Sequence, residues 1–540
     1  MKIRPTTGDV YREPWTYKPR NVKTVPGANL KKDLVVRADV CVIGTGAGGA
    51  PVAKELAEGG MSVVMLESGR RFTTDDFTAR PRDMTALLYR DAGQTVTLGN
   101  VPIVLPLGEG AAGTTLINSG TCFRTPEAIL ESWGERFGLD GMSPDELDPY
   151  FRRVEREIHV VQVPEDLAGN NALVIKRGAE RLGWSGDFMF RNASGCVGSG
   201  VCAFGCPTSS KLHMGLTYVP RAWDAGATSY TECRAERLDI QGGRLRAVEA
   251  RTAGGARLRV DCDIAVVACG ALLTPLFLKK NGLGLDSGEL GDNLALHPAT
   301  AVRARFAEQI DMARGVPQSY YVDEFCDEGI MFEGAAGPPD YAAMSFPFTR
   351  EQHRRLMLDY LHIAQFGLMV SDTSRGSVRA LPGGALRMSY DLNDQDLRTF
   401  KRGIELLCEC YWAAGADEVY PPVEGIGVLR DGDLDTLRRH ELRPHELTLM
   451  AFHPMGTARA DARPAHGVVD GDLKLHGAEG VYVCDASILP SSLGVNPQET
   501  VMALATRLAY GLLGKPAPAD EPEPEKIARP RIGRIHPVTA

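Results

Sequence analysis

"ADVCVIGTGAGGAPVAKELAEGGMSVVMLESG" runs from Ala38 to Gly69. Val40 to Ile43 is a continuous apolar run of strand length. Gly44-Thr45-Gly46-Ala47-Gly48-Gly49 then turns the chain, and Val52, Leu56 and Ala57 recur at helical spacing. Ser62 to Leu66 is a second apolar run, and it ends at Glu67. Strand, glycine turn, helix and strand in this order make a βαβ unit that binds a dinucleotide. Gly44 permits the tight turn, Gly46 with Ala47 lets backbone approach a pyrophosphate, and Gly49 lets the helix sit close to the strand. The helix N-terminus offers free N–H groups and positive dipole to the phosphates. Glu67 accepts hydrogen bonds from ribose hydroxyls, and an acid rather than an arginine there disfavours a 2′-phosphate. The motif alone leaves FAD and NAD open.

The chain around this unit has 540 residues, too many for one hydrophobic core, so two or more domains are expected. Apolar residues make up 44% and charged residues 24%, the balance of a globular protein. A net charge of -9 speaks against a nucleic-acid partner, which needs clustered Lys and Arg. No stretch is apolar enough for a transmembrane segment, and "MKIRPTTGDVYREPWTYKPR" has no leader-like apolar run, so the default expectation is the cytoplasm, with reduced thiols. Residues 1–37 are polar and proline-bearing and read as an extended lead-in; 516–540 read as a Pro-rich arm or disordered tail. Ser143 with Glu146 opens a helix as a capping box. Residues 228–270 alternate as strands do, with turns at Gly242-Gly243 and Gly254-Gly255.

Four further segments extend the pattern. They are "GEGAAGTTLINSGTCFR" from Gly108, "CGALLTPLFLKKNGLG" from Cys269, "LGDNLALHP" from Leu290, and "FHPMGTARA" with "GVVDGDLKLHGAEGVYVCDASILPSSLGVNPQETVMALATRLA" between Phe452 and Ala509. In this order they resemble the glucose–methanol–choline (GMC) family of FAD oxidoreductases. The resemblance is close over the cofactor segments and weak over 125–190 and 300–440. It implies an α/β fold, α+β overall. A Rossmann-like FAD-binding domain is assembled from 38–125, 190–300 and 453–515, and a sheet-and-helix substrate domain is inserted from 126–189 and 301–452. It places Gly113, Thr114 and Asn118 against the flavin and pyrophosphate, although Ala111-Ala112-Gly113-Thr114-Thr115 stands where many members have Gly-Gly-Ser-Ser. Ala235 is expected to meet the adenine through its backbone. Asp485, Ala486, Asn496 and Pro497 match the closing FAD motif.

Alcohol oxidation by flavin removes a hydroxyl proton and transfers a hydride from carbon to flavin N5. By resemblance His453 is the general base of this step, since a neutral imidazole titrates in the useful range, and Asn496 orients the alcohol oxygen. His297 in "LALHP" lies near the ring or satisfies a buried loop, and the structural role is the favoured one.

"GCVGSGVCAFGCPTSSK", Gly195 to Lys211, gathers Cys196, Cys202 and Cys206, while the other nine of twelve cysteines are scattered. Interspersed glycines let a loop wrap a compact object, and a Cys-Pro ending recurs in iron–sulfur runs. The C-x5-C-x3-C spacing resembles that of GMC sugar dehydrogenases with a three-iron cluster. The flanking "GCPTSSKLHMGLTYVPRAWDAGA" resembles the long-chain alcohol oxidase branch, where the same turn has no cluster. Both readings stay open, a possible three-iron cluster or a thiol-lined turn. The leading expectation is an FAD enzyme that oxidises an apolar or long-chain alcohol, with oxygen or an electron-transfer partner as acceptor. The alternatives are an FAD/iron–sulfur sugar or polyol dehydrogenase that feeds a cytochrome or quinone, and a non-redox flavin lyase.

Overall fold

The computed structural model describes residues 17–346 and 348–519. Residues 1–16 of the expected lead-in and 520–540 of the expected tail lie outside the described residues.

Val40–Ile43 and Val63–Leu66 are buried at every position, as their unbroken apolar runs require of strands covered on both faces. They are the middle of a six-stranded sheet, all of it parallel. Its order is Thr24–Pro26, Thr228–Thr231, Val63–Leu66, Val40–Ile43, Ile264–Val267, Val481–Val483. Strands separated by more than 450 residues of chain thus share one sheet, and its carboxyl ends gather the glycine turn, Glu67 and Asp485.

The Gly49–Glu58 helix departs from the expected one-sided pattern. Every residue from Gly49 to Ala57 is buried, because the Gln498–Leu512 and Tyr218–Asp224 helices also pack against it. Its buried charges are paired, as buried charges must be. Lys54 Nζ lies 3.0 Å from Glu55 and 2.9 Å from Glu58, and Arg153 Nε lies 2.8 Å from Glu55.

A second sheet is the expected meander. Cys233–Gln241, Arg244–Thr252 and Arg257–Asp261 run antiparallel, and the Gly242-Gly243 turn has positive φ at both residues. Leu34–Arg37 adds parallel to Arg257–Asp261. The lead-in therefore does more than lie on the body, since its two strands complete two sheets. The predicted capping box is present at Ser143, at the head of the Pro144–Glu157 helix.

The third sheet has eight strands. Ala299–Arg305, Ile363–Val370, Ile330–Gly334 and Tyr320–Val322 pair antiparallel in that order, and Gly186–Phe188 closes the edge. Helices Asn170–Leu182 and Asp394–Ala414 pack together and on the Ile363–Val370 strand. The sheet reaches beyond the expected substrate segments, because Ile103–Val104 joins it beside Leu449–Met450. Among the described residues no helix is long and apolar enough to cross a membrane.

Candidate active site

The glycine turn divides its labour. A Cβ on Gly44, which has φ +106°, would lie 2.2 Å from Ala268 O, and one on Gly49 would lie 2.0 Å from Gly44 O. Gly48, which sequence reasoning passed over, is tighter still, with Cys484 O at 1.7 Å from a Cβ. These three glycines serve the packing of turn, helix and sheet. Gly46 is different. A Cβ there would meet only Gly113 Cα, at 3.8 Å. A Cβ on Gly113 would lie 3.1 Å from Gly46 Cα, so the two glycine backbones pack against each other with no side chain over them, which leaves bare backbone for the close approach a pyrophosphate needs.

Glu67 is buried at the end of its strand. One carboxylate oxygen accepts from Thr45 N at 3.1 Å and Thr45 Oγ1 at 2.7 Å, and the other accepts from Gly69 N at 2.8 Å. Thr45 Oγ1 in turn accepts from Ala112 N at 3.0 Å, which ties the turn to the Gly108–Leu116 loop. Burial raises the Glu67 carboxyl above the usual range against these hydrogen bonds. A cleft of about 550 Å³ opens past it, lined in part by Gly69, Arg70, Phe72, Glu232, Arg234 and Arg251. Ala235 is half-buried and is not itself in the lining; its neighbours Arg234 and Glu236 are. The bare Gly46–Gly113 gap and this cleft together fit a dinucleotide.

The closing segment is held from several sides. Asp485 is buried and accepts from Gly270 N at 2.9 Å, Thr274 Oγ1 at 2.5 Å and Ser487 N at 2.8 Å. Ala486 O accepts from Gly456 N, which joins the segment to the loop that carries His453. Pro497 stands at the head of the Gln498–Leu512 helix. Asn118 Nδ2 donates to Gln498 Oε1 at 2.7 Å, while the exposed Thr114 receives a long bond from Gly108 N at 3.4 Å.

His453 and Asn496 meet. His453 Nε2 lies 3.2 Å from Asn496 Nδ2, and His453 Nδ1 lies 3.3 Å from His297 Nδ1. His297 therefore belongs to the site as well as to its loop. It is fully buried at φ +49°, and its own N–H donates to Asp372, which also accepts from Leu296 N, Ser492 Oγ and Tyr390 OH. Its Nε2 accepts from Leu493 N at 2.9 Å and Gly494 N at 3.0 Å.

These contacts fix hydrogens. A ring nitrogen that accepts two backbone N–H bonds carries no hydrogen, so neutral His297 carries its hydrogen at Nδ1. Burial, with a smaller contribution from Arg375, holds His297 down to about 3, so it is neutral. Its Nδ1–H points at His453 Nδ1, whereas Asn496 Nδ2, a donor, faces His453 Nε2, so the two contacts call for opposite tautomers of His453. Burial and neighbouring His297 hold His453 well below its ordinary value too. The buried Asn496 Oδ1 has no partner, and Asn496 Nδ2 reaches Glu333 Oε2 at 3.4 Å.

The cysteine turn does not form a ligand set. Among the described residues no three His, Cys, Asp or Glu side chains converge as a metal site. Cys202 Sγ accepts from buried Arg191 Nη2 at 3.2 Å, and Cys206 Sγ accepts from Lys211 N at 3.4 Å, while Cys196 is only half-buried. The residue that organises the turn is Lys211. Its buried Nζ donates to Leu116 O at 2.8 Å, Asn118 O at 2.6 Å and Cys202 O at 3.1 Å, and burial pulls it down to about 7. The cluster expectation for Cys196, Cys202 and Cys206 is corrected accordingly: the turn is pinned by an ammonium and a guanidinium, and the sulfurs face different donors.

Residues 85–299 and 372–505 match the two family models described as GMC oxidoreductase. The chain belongs to the GMC oxidoreductase family. It is accordingly an FAD-dependent oxidoreductase that acts on CH–OH donors. An uncharacterised GMC-type oxidoreductase of Mycobacterium tuberculosis is 41% identical over 485 residues, 89% of this chain and 76% of its own. Long-chain-alcohol oxidase FAO1 of Arabidopsis thaliana is 27% identical, over 87% of this chain and 66% of its own. Among solved structures, a formate oxidase superposes with a TM-score of 0.69 at 17% identity, covering 88% of this chain and 97% of that one. Pyridoxine 4-oxidase from Mesorbium loti superposes at 0.68 and 19%, covering 88% and 98%. These two likenesses concern the GMC fold.

Proposed function

We propose that this GMC oxidoreductase oxidises an apolar, long-chain alcohol to the corresponding carbonyl compound, with the alcohol oxygen held between His453 and Asn496. One observation carries the reading: Asn496 Nδ2 stands 3.2 Å from His453 Nε2, and the buried Asn496 Oδ1 beside that ring has no partner, an acceptor left open for one hydroxyl group. When bound, FAD supplies the two-electron acceptor for the hydride that leaves the carbinol carbon. Gly46, Gly113 and Glu67 with the cleft beyond it would hold its pyrophosphate and adenosine, and Asn118, Asp485, Ala486 and Pro497 its flavin end. Of the protein's own groups, His453 takes the hydroxyl proton as general base and Asn496 orients the alcohol oxygen, with His297 packed behind the His453 ring.

The apolar substrate class is supported by the long-chain-alcohol oxidases among the relatives. The electron acceptor in this reading is dioxygen or a separate electron-transfer protein, and the twelve free thiols accord with work in the reducing cytoplasm. The sugar-dehydrogenase alternative rested on the cysteine spacing, and its three sulfurs do not converge.

The test is anaerobic mixing of the FAD-loaded enzyme with 1-dodecanol, 1-octanol, choline and glucose. Stoichiometric bleaching of the flavin by the two fatty alcohols ahead of choline and glucose supports the reading and excludes a non-redox lyase. Bleaching by glucose alone would refute the substrate class.

A further inference from the structure

Two buried acceptor atoms of the site have no hydrogen-bond partner among the described residues, Asn496 Oδ1 and Glu333 Oε1. The alcohol hydroxyl accounts for the first. The second belongs to the Ile330–Gly334 strand, where Glu333 lies opposite Tyr321 on one neighbour and Gly367 on the other. The residue is 6% exposed. Its Oε2 is held by two amide donors, Asn496 Nδ2 and Gln318 Nε2, each at 3.4 Å, and Gln318 Oε1 in turn accepts from Thr121 Oγ1 at 3.0 Å. Oε1 faces away from these donors. A buried polar atom left empty costs stability unless a ligand completes it.

Asn496 Nδ2 is the common neighbour. It lies 3.2 Å from His453 Nε2 and 3.4 Å from Glu333 Oε2. The base and the carboxyl thus flank one amide nitrogen. Two polar groups on adjacent carbons of a ligand can reach both, each through one hydrogen bond of about 2.8 Å.

What suits Oε1 depends on its proton. Ionised, the oxygen needs a donor. Protonated, the carboxyl carries its hydrogen on Oε1, because Oε2 faces two N–H groups, and that hydrogen needs an acceptor. Burial lifts Glu333 to about 7 against the Asn496 hydrogen bond, so both forms are present near neutrality. The titrating groups around it do not change there. Burial pushes the Tyr321 hydroxyl and the Cys326 thiol up, and burial with His297 pushes His453 down. A hydroxyl group donates and accepts, so it suits both forms of the carboxyl. An ammonium suits the ionised form alone. A bare alkyl chain suits neither and strands the atom.

We propose that Glu333 Oε1 reads a second hydrogen-bonding group, a hydroxyl or an amine, on the carbon next to the carbinol. The preferred substrates are then long-chain 1,2-diols or 2-amino alcohols ahead of simple fatty alcohols. This rests on the alcohol reading above and narrows it. His453 stays the base, and Glu333 determines specificity.

The experiment is anaerobic rapid mixing of FAD-loaded enzyme with 1-octanol, each enantiomer of 1,2-octanediol, and 2-amino-1-octanol. It uses the parent, Glu333→Gln and Glu333→Leu, at about pH 6 and about pH 8. Flavin reduction rates at low alcohol are taken as ratios to 1-octanol, which removes the pH profile of the base. In the parent, one diol enantiomer should lead 1-octanol by about ten- to a hundredfold at both pH values. The amino alcohol should gain its lead only at the higher pH, once Glu333 is ionised. Glu333→Gln, whose amide still meets a hydroxyl, should keep part of the diol lead and lose the pH-dependent gain of the amino alcohol. Glu333→Leu should lose both leads. The parent comparison needs no variant to fold: equal rates with 1-octanol, both diols and the amino alcohol overturn the proposal and leave alcohol oxidation standing. Leads that survive in Glu333→Leu do the same. If none of these alcohols bleaches the parent flavin, the alcohol reading falls and this one with it.

Discussion

The Nδ1 atoms of His297 and His453 stand 3.3 Å apart, and only one of them can carry a hydrogen. The backbone decides which, through Leu493 and Gly494 N–H on the far side of His297. Replacing His297 with Asn, a residue that tolerates its φ of +49°, releases His453 Nδ1. Nitrogen NMR of labelled holoenzyme should then show His453 shift toward the Nδ1–H tautomer, whose Nε2 accepts from Asn496 Nδ2. Flavin reduction should slow by about tenfold, in the limiting rate rather than in the half-saturating alcohol concentration. A single unchanged tautomer in the variant would show that the chain of donors does not set it.

The two catalytic side chains themselves give the plainest loss. His453→Ala removes the base and should cost about 10²–10⁴-fold in flavin reduction, with FAD content intact. Asn496→Asp puts a second acid beside Glu333, and a like charge raises a neighbour's pKa. The Glu333 carboxyl should therefore titrate at a higher pH in that variant, read by infrared spectroscopy of the labelled carboxyl. A downward shift would mean that residue 496 does not face Glu333.

The glycines separate folding from cofactor binding. Gly48→Ala drives a Cβ to 1.7 Å from Cys484 O, so the helix must back away from the sheet and the variant should lose thermal stability with or without FAD. Gly46→Ala meets only Gly113 Cα at 3.8 Å, so the cofactor-free protein should melt as the parent does, yet retain less flavin on purification. Equal flavin content in Gly46→Ala and the parent would remove the pyrophosphate from that gap.

Sequence carried the local part of this architecture and little of its long-range chemistry. The βαβ unit is legible because its signal lies within one stretch: two unbroken apolar runs, a glycine turn between, and an acid at the end. His453 and Asn496 come from a family motif. Glu333 has no such signal. It sits alone in "GIMFEGAAG", and its tie to Asn496 spans 163 residues. The His297–His453 contact spans 156, so whether His297 is a loop anchor or a working residue is decided only when two loops distant in the chain meet. The cysteine spacing misled for a related reason. Spacing gives the distance between thiols along the chain, whereas ligation depends on where sulfurs point, and Lys211 and Arg191 decide that here.

That turn makes its own prediction. Protein purified without air should hold no iron in proportion to flavin, and Cys196→Ala should leave flavin reduction unchanged. Lys211→Met should be far worse than any of the three cysteine substitutions, because it strands the carbonyls of Leu116, Asn118 and Cys202 without their donor. Each stranded buried group costs about 1–3 kcal/mol, read as a lower melting temperature. Iron at three atoms per flavin, lost in Cys206→Ala, would restore the cluster.

Glu333 also leaves a mark on stability, with a definite sign. Its carboxyl titrates near 7 in the folded protein, against the ordinary carboxyl value of 4.5 that applies once the chain unfolds. Between those values the folded state holds a proton that the unfolded state has released. Stability therefore falls as pH rises from about 4.5 to 7 and is flat above, with a total loss of order 3 kcal/mol. Glutamine has the shape of the protonated acid and nothing to ionise. Glu333→Gln should match the parent in melting temperature at pH about 5 and exceed it at pH about 8. A variant that melts below the parent at both pH values would mean that the ionised carboxylate is well solvated or paired in the folded protein, and its elevated titration would have to be given up.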